Sequence, residues 1–322
     1  MIKLEQKIFQ VSNSNFEQLA LEIFDFQVQH NEIYRQFVTK LNRKIPKKIE
    51  EIPFLPIEFF KTHKIISSTL KPKITFLSSG TTQQIRSKHF IVKPELYNKS
   101  FIKTYQNFTG EIENQVILAL LPNYLQQGNS SLVYMLDVLI KETNSNLSGF
   151  FINDTDLLLK NYEKAILEGK KVIIFGVSYA LLDLAIQKPN LSKAIVIETG
   201  GMKGRREEMS KSDLHQILKN AFQCEFISSE YGMTELLSQA YSDKNEYFLL
   251  PNWMKILIRD TNDPFYFLDQ NKTGGINVID LANIYSCSFI ATQDLGQISN
   301  LGLKLMGRFD HSDIRGCNLL IE

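Results

Sequence analysis

Apolar positions near the start of the chain fall at helical spacing. Phe16, Leu19, Ala20, Ile23 and Phe24 share one face of a 3.6-residue period. Ser14 and Glu17 precede and enter that run with the spacing of a capping box. A second helix is expected over 32–41, after which a basic stretch (40–48) and Pro46, Pro53 and Pro56 break the pattern. The pattern then alternates. Helical spacing over 93–108 gives way to an apolar strand at 115–121, a polar loop at 122–131 containing Gly128, and a helix over 131–141. A buried-type strand at 172–175 precedes a helix at 178–186, and a strand at 194–198 runs into Thr199-Gly200-Gly201. A helix over 207–222 and a strand at 224–228 complete the series. Strands separated by helices require crossover connections, so a largely parallel sheet flanked by helices is predicted. After Pro251 the helical spacing ends. Short β-prone runs at 255–259, 265–268, 275–280, 287–292 and 296–306 predict a small antiparallel β-subdomain. The expected fold class is therefore α/β. Its expected parts are a helical lead-in (1–70), an α/β core (71–250) and a β-subdomain (251–322).

Composition narrows the function classes. A length of 322 residues accommodates one large domain or two medium ones. The formal net charge of +1 gives no basis for a nucleic-acid or anionic-membrane partner. The 22 phenylalanines and 12 tyrosines suit large apolar pockets. Cys224, Cys287 and Cys317 form no CxxC pair and no metal cluster with the five histidines. An odd, scattered set of thiols points to a reducing, cytoplasmic setting. No signal peptide is expected at Met1–Glu5, and apolar runs such as 172–175 are too short to span a bilayer.

Candidate chemistry begins with Phe76-Leu77-Ser78-Ser79-Gly80-Thr81-Thr82. A β-prone lead delivers four hydroxyls, a run of backbone N–H groups and one permissive glycine, a nest suited to phosphate oxygens. No Gly-Lys-Ser/Thr follows, so it is not a Walker A loop. Farther on, Ser228-Ser229-Glu230-Tyr231-Gly232-Met233-Thr234-Glu235 follows a strand expected to end near Ile227. Beyond the carboxyl end of a parallel strand, a tyrosine can stack on a purine, a threonine can bond a phosphate and a glutamate can hold magnesium. A plain helix N-terminus is the competing reading. Thr292-Gln293-Asp294-Leu295-Gly296 places a carboxylate in a turn suited to two ribose hydroxyls. Gly307-Arg308-Phe309-Asp310 puts an arginine and an acid on a second turn.

In this order the four motifs resemble the AMP-forming adenylating superfamily of acyl-CoA synthetases, aryl-CoA ligases and luciferases. The narrower likeness is to the acyl-protein synthetases of bacterial bioluminescence, the fatty-acid-activating subunits of fatty-acid reductase complexes. Ile52-Pro53-Phe54-Leu55-Pro56, Phe59-Phe60-Lys61 and Ser312-Asp313-Ile314-Arg315-Gly316-Cys317 carry it. The resemblance implies that Ser78, Ser79, Gly80, Thr81 and Thr82 hold the ATP phosphates. It implies that Tyr231 and Gly232, with Gly200 and Gly201, border the adenine. Thr234 would meet the α-phosphate, Glu235 would bind Mg2+, Asp294 and Arg308 would grip the ribose, and Cys317 would accept the acyl group. Implied partners are a fatty or aryl carboxylic acid and an acyl-carrier protein, coenzyme A or an acyl reductase. Two departures stand out. Gln83 and Gln84 replace the usual Gly-Lys, and the superfamily's lysine-bearing C-terminal lid is not expected within 322 residues. An additional cation would then come from a partner or from Lys203, Arg205 or Arg206.

Two other functions compete. Gly176-Val177-Ser178-Tyr179-Ala180 sits between strand and helix like a nucleophile elbow, with His215 and His311 downstream, as a serine acyl-hydrolase would need. A non-catalytic adenylating-fold scaffold in a fatty-acid or polyketide pathway is the other. His89 is expected in the core or facing the phosphate turn.

Overall fold

The computed structural model describes residues 2–79, 85–122, 129–200 and 209–309. They divide into two compact units, 72–251 on the one hand and 1–71 with 252–322 on the other.

The 72–251 unit is α/β. Gly149–Phe150, Gln115–Leu120, Lys171–Val177, Ala194–Thr199 and Ser228–Tyr231 lie side by side in that order, all parallel. Numbered by chain order these five strands run 2-1-3-4-5, so the sheet reverses its direction of growth between the first and the third. Val116 to Ala119 and Val172 to Phe175 are completely buried. Their near-continuous apolar runs are what a strand covered on both faces requires. Helices Ser131–Glu142, Thr155–Leu167, Ser178–Ala185 and Lys211–Phe222 supply the crossovers. Ala240–Ser242 and Phe248–Leu249 extend the sheet antiparallel beyond Ser228–Tyr231. A separate hairpin pairs Ile74–Leu77 with Lys88–Ile91.

The other unit joins the two ends of the chain. Met254–Arg259, Thr273–Asp280, Phe289–Ser299 and Gly302–Arg308 form an antiparallel meander, with Leu55–Pro56 parallel to the start of Phe289–Ser299. Helices Phe16–His30 and Glu32–Leu41 pack here through aromatic rings. Tyr34 lies 6.0 Å from Phe24 and 6.1 Å from Phe289, centroid to centroid. Buried Gln27 donates to the Ile284 carbonyl at 2.9 Å and accepts from the Ser288 N–H at 3.0 Å.

Four local expectations are corrected. Ser14 and Glu17 form no capping box: Asn15 is the N-cap residue, and Glu17 accepts from the Ile49 N–H at 3.3 Å. The strand expected at 224–228 lies instead at Ser228–Tyr231, where Ser228, Ser229 and Glu230 pair with Ile197, Glu198 and Thr199. The turn expected around Asp294 is continuous strand, since Leu295 and Gly296 pair with Gly275 and Gly274 on one side and with Gly307 and Leu305 on the other. Gly296 marks a register shift in the latter pairing, which is a strand glycine's usual meaning. The run expected at 296–306 is accordingly two strands of a hairpin. Thr155–Leu167 is a helix additional to the expected set. Asp154 caps it by accepting from the Leu157 N–H at 3.0 Å, and Leu158, Tyr162 and Ala165 form its buried face.

Candidate active site

The hydroxyl segment leaves the sheet hairpin at Leu77. Phe76 is fully buried, with its ring 5.6 Å from Tyr97 and 5.4 Å from Tyr134, so two helices anchor the lead into the turn. Ser78 closes the hairpin base: its N–H donates to the Ser87 carbonyl at 3.1 Å, and its Oγ accepts from the Ser87 N–H at 2.9 Å. Arg86 Nε donates to the Ser78 carbonyl. Ser79 follows at the edge of the described segment. Gly80, Thr81 and Thr82 lie outside the described residues, as do Gly201, Cys317, Gln83, Gln84, Lys203, Arg205, Arg206 and His311.

Across the same unit, Tyr231 ends its strand with its ring edge-on to Phe248 at 6.0 Å. The chain then turns back without forming a helix, so Thr234 and Glu235 occupy a loop before Ala240–Ser242. Gly232 is required here by packing: an added Cβ would stand 2.2 Å from Glu230 Oε1 and 3.2 Å from Gln239 Cγ. Glu235 is buried.

A link between the two motifs comes from His89. Buried in the hairpin strand opposite Phe76, it donates from Nδ1 to the Thr234 carbonyl at 2.7 Å. A carbonyl can only accept, so Nδ1 carries the proton. The hydroxyl hairpin and the Tyr-Gly-Met-Thr-Glu loop, far apart in sequence, are thereby held together.

Beside them lies a polar cluster of which the sequence pointed to Ser178 and His215 but not to the carboxylate at its centre. Glu198, buried on the strand before Gly200, accepts from Ser178 at 2.6 Å through Oε1 and from Ser229 at 3.0 Å through Oε2. Lys211 Nζ stands 3.4 Å and His215 Nε2 3.9 Å from Oε2. Burial alone would raise the carboxyl's pKa. The His215 contact, the Lys211 charge and the two serine hydroxyls outweigh it and hold the group below the usual carboxylate range. Glu230, half-buried on the next strand, goes the other way. Removal from water pushes it up to about 7, with the nearby Glu198 charge adding to the rise and the Thr199 hydroxyl and Lys211 only partly offsetting it. Gly200 takes φ +73°, a left-handed conformation that glycine reaches at no steric cost.

This geometry also decides how Ser178 is used. Its hydroxyl faces Glu198 and the Gly200 carbonyl, whereas His215 bonds Ser229 at 3.1 Å. Among the described residues, the serine–histidine contact that activates a hydrolase nucleophile is not made by Ser178.

Within the other unit, Asp294 and Arg308 are directly opposed on neighbouring strands, and Arg308 Nε bonds Asp294 Oδ1 at 2.9 Å. Both sit on strands and not on the turns expected for them. Arg308 is 77% exposed while Asp294 is nearly buried, so the pair presents a guanidinium outward from an anchored carboxylate.

Buried acceptors test the fit to a nucleotide. Gln239 Oε1, beside Gly232, is buried with no hydrogen-bond partner, an unfilled acceptor of the kind a ligand donor satisfies. Among the described residues no three His, Cys, Asp or Glu side chains gather as a metal site. One carboxylate, that of Glu235, nevertheless suits Mg2+ that arrives with ATP, because that ion keeps phosphate oxygens and waters as most of its ligands. A cavity of about 270 Å3 is lined by Leu120, Pro122, Ile152, Asn153, Tyr179 and Asp183 among others, at the carboxyl end of the first parallel strand. No helix among the described residues is long and apolar enough to cross a membrane.

The fold is that of adenylate-forming ligases. The structure resembles 2-hydroxyisobutyryl-CoA ligase in the postadenylation state with 2-HIB-AMP, at TM-score 0.68 and 11% identity over 93% of this chain and 69% of that one. It also resembles the open conformation of that ligase with 2-HIB-AMP and CoA, at TM-score 0.67 and 11% identity over 95% and 78%. ATP-bound MatB from Rhodopseudomonas palustris matches at TM-score 0.55 and 18% identity, over 76% of this chain and 49% of that one. The chain thus spans about half the length of the MatB structures it matches. No curated protein sequence matches it. The signature of the acyl-protein synthetase, LuxE family matches residues 7–322, and the chain belongs to that family.

Proposed function

We propose that the protein activates a carboxylic acid with MgATP and passes the acyl group to a thiol. A carboxylate oxygen attacks the α-phosphorus, the bond to pyrophosphate breaks, and an acyl-adenylate forms. A thiolate then attacks the acyl carbon and AMP leaves. Such a reaction needs positioning and charge stabilisation more than covalent help from the protein. The observation that carries this reading is the His89–Thr234 bond, which joins the hydroxyl hairpin to the Tyr-Gly-Met-Thr-Glu loop within one unit.

In this reading Ser78, Ser79, Gly80, Thr81 and Thr82 cradle the phosphates. Ser78 Oγ already accepts from Ser87, so its share falls to its remaining hydroxyl proton. Tyr231, Gly232, Gly200 and Gly201 border the adenine, and Asp294 with Arg308 takes the ribose. Thr234 meets the α-phosphate and Glu235 the magnesium ion. The acid is a fatty or aryl one, and the acceptor thiol is Cys317, with the basic Arg315 two positions before it in the sequence. The acyl group then goes to a reductase or carrier partner in the cytoplasm.

Intact-mass analysis after incubation with ATP, Mg2+ and a panel of acids tests both steps. The expected result is a mass gain equal to one acyl group, absent in Cys317→Ser, with pyrophosphate released by both proteins. No pyrophosphate with any acid would overturn the activity in favour of a scaffold role. Pyrophosphate without acylation of the wild type would move the acceptor to coenzyme A or a carrier thiol.

A further inference from the structure

Glu198 is a buried carboxylate bonded by two serines and approached by Lys211 and His215, yet the reaction above gives it no part. Its partners come from the ends of neighbouring parallel strands. Ser178 follows Lys171–Val177, Glu198 itself lies in Ala194–Thr199, and Ser229 lies in Ser228–Tyr231. Lys211 and His215 reach in from the helix Lys211–Phe222.

The bonding has a direction. Ser229 gives its proton to Glu198, so the His215 contact to Ser229 Oγ is donated from Nε2. On the other side His215 Nδ1 lies 3.8 Å from Glu246 Oε1. The Ser178 proton is shared between Glu198 Oε1 at 2.6 Å and the Gly200 carbonyl at 2.7 Å. One carboxylate therefore fixes, through Ser178, the carbonyl of the left-handed Gly200 turn, and through Ser229 the strand that delivers Tyr231 two residues later. A core built for stability alone would place apolar side chains here, because a buried ion with its partners seldom outperforms them.

We propose that Glu198 is a positioning residue for the nucleotide: it sets the relative placement of the Gly200 turn and the Tyr231 strand end, acting through Ser178 and Ser229. The inference rests on the adenylating reading and deepens it. Neither Glu198 nor Ser178 touches the nucleotide.

The test is ATP–pyrophosphate exchange by the full-length protein, with KM measured separately for MgATP and for the acid. Glu198→Gln keeps the shape but replaces one acceptor oxygen with a donor, and Ser178→Ala removes the shared proton. Each is expected to raise the KM for MgATP about tenfold, the effect of losing a charge-assisted hydrogen bond, with the KM for the acid unchanged. The double variant is expected to resemble the worse single one, because both changes cut the same path. Should Glu198→Gln fail to fold, Ser178→Ala alone carries the test. An unchanged KM for MgATP in a folded variant, equal rises in both KM values, or additive effects in the double variant would overturn the proposal. Absence of exchange in the wild type would instead remove the adenylating reading, so the two failures are distinguishable.

Discussion

Glu230 and Glu198 sit on adjacent strands and titrate in opposite directions. Glu230 is raised to about 7 in the fold from an ordinary value of 4.5. The folded state therefore holds its proton longer than the unfolded state does. Its contribution to stability is full below the unfolded value and is lost as pH rises through about 7. Glu230→Gln should abolish that loss, leaving the variant more stable than the wild type above pH 7 and similar at low pH, as urea titrations at several pH values would show. Glu198 is lowered, so its contribution is present above the ordinary carboxylate range and disappears as pH falls through the depressed folded value. Gln239 gives a sharper test. Replacing it with leucine removes a buried acceptor that has no partner, so the ligand-free protein should be as stable or more stable. MgATP should then protect Gln239→Leu less against thermal unfolding than it protects the wild type. Tyr231, Thr234 and Glu235 could be picked out along the chain because their chemistry sits in one short string. The Ser178–Glu198–Ser229–His215 cluster could not be assembled that way: Ser178 and His215 stood out only as parts of a nucleophile elbow, and Glu198 and Ser229, which tie them together, read as ordinary core residues until the strands are in register.

Among the elements, those with long apolar periods were legible. The helices Pro94–Thr109 and Ser131–Glu142 lie within a residue of expectation. Where polar residues are buried the pattern misleads: Ser228 and Ser229 are fully buried strand residues, which no hydrophobic alternation announces. Gly296 likewise suggests a turn until two neighbouring strands pair with it. Thr155–Leu167 was missed because exposed leucines blur its face, although Asp154 is a good cap. Asp154→Ala should cost ~1 kcal/mol in a chemical denaturation curve. The hairpin is more sensitive. His89→Phe fills the same buried space but leaves the Thr234 carbonyl without its Nδ1 donor, at a cost of about 1–3 kcal/mol. The accompanying sign should be faster amide exchange at 232–236 than in the wild type.

For the molecule as a whole, the thiols report on integrity. Cys224 and Cys287 are buried, and burial pushes them up to about 11 and about 12. A folded protein at pH 8 should leave both unalkylated by iodoacetamide, and both should react once denaturant opens the core. The unit built from 1–71 and 252–322 has a further consequence for biogenesis. During translation Gln27 and Tyr34 leave the ribosome more than two hundred residues ahead of Ser288 and Phe289, the groups they pack against. Until then the aromatic faces of the first helices lack the part of their cover that Phe289 supplies, whereas the 72–251 unit already holds its own contacts. Nascent chains stalled before residue 252 should recruit holdase chaperones through the amino-terminal helices and release them once the last strands emerge.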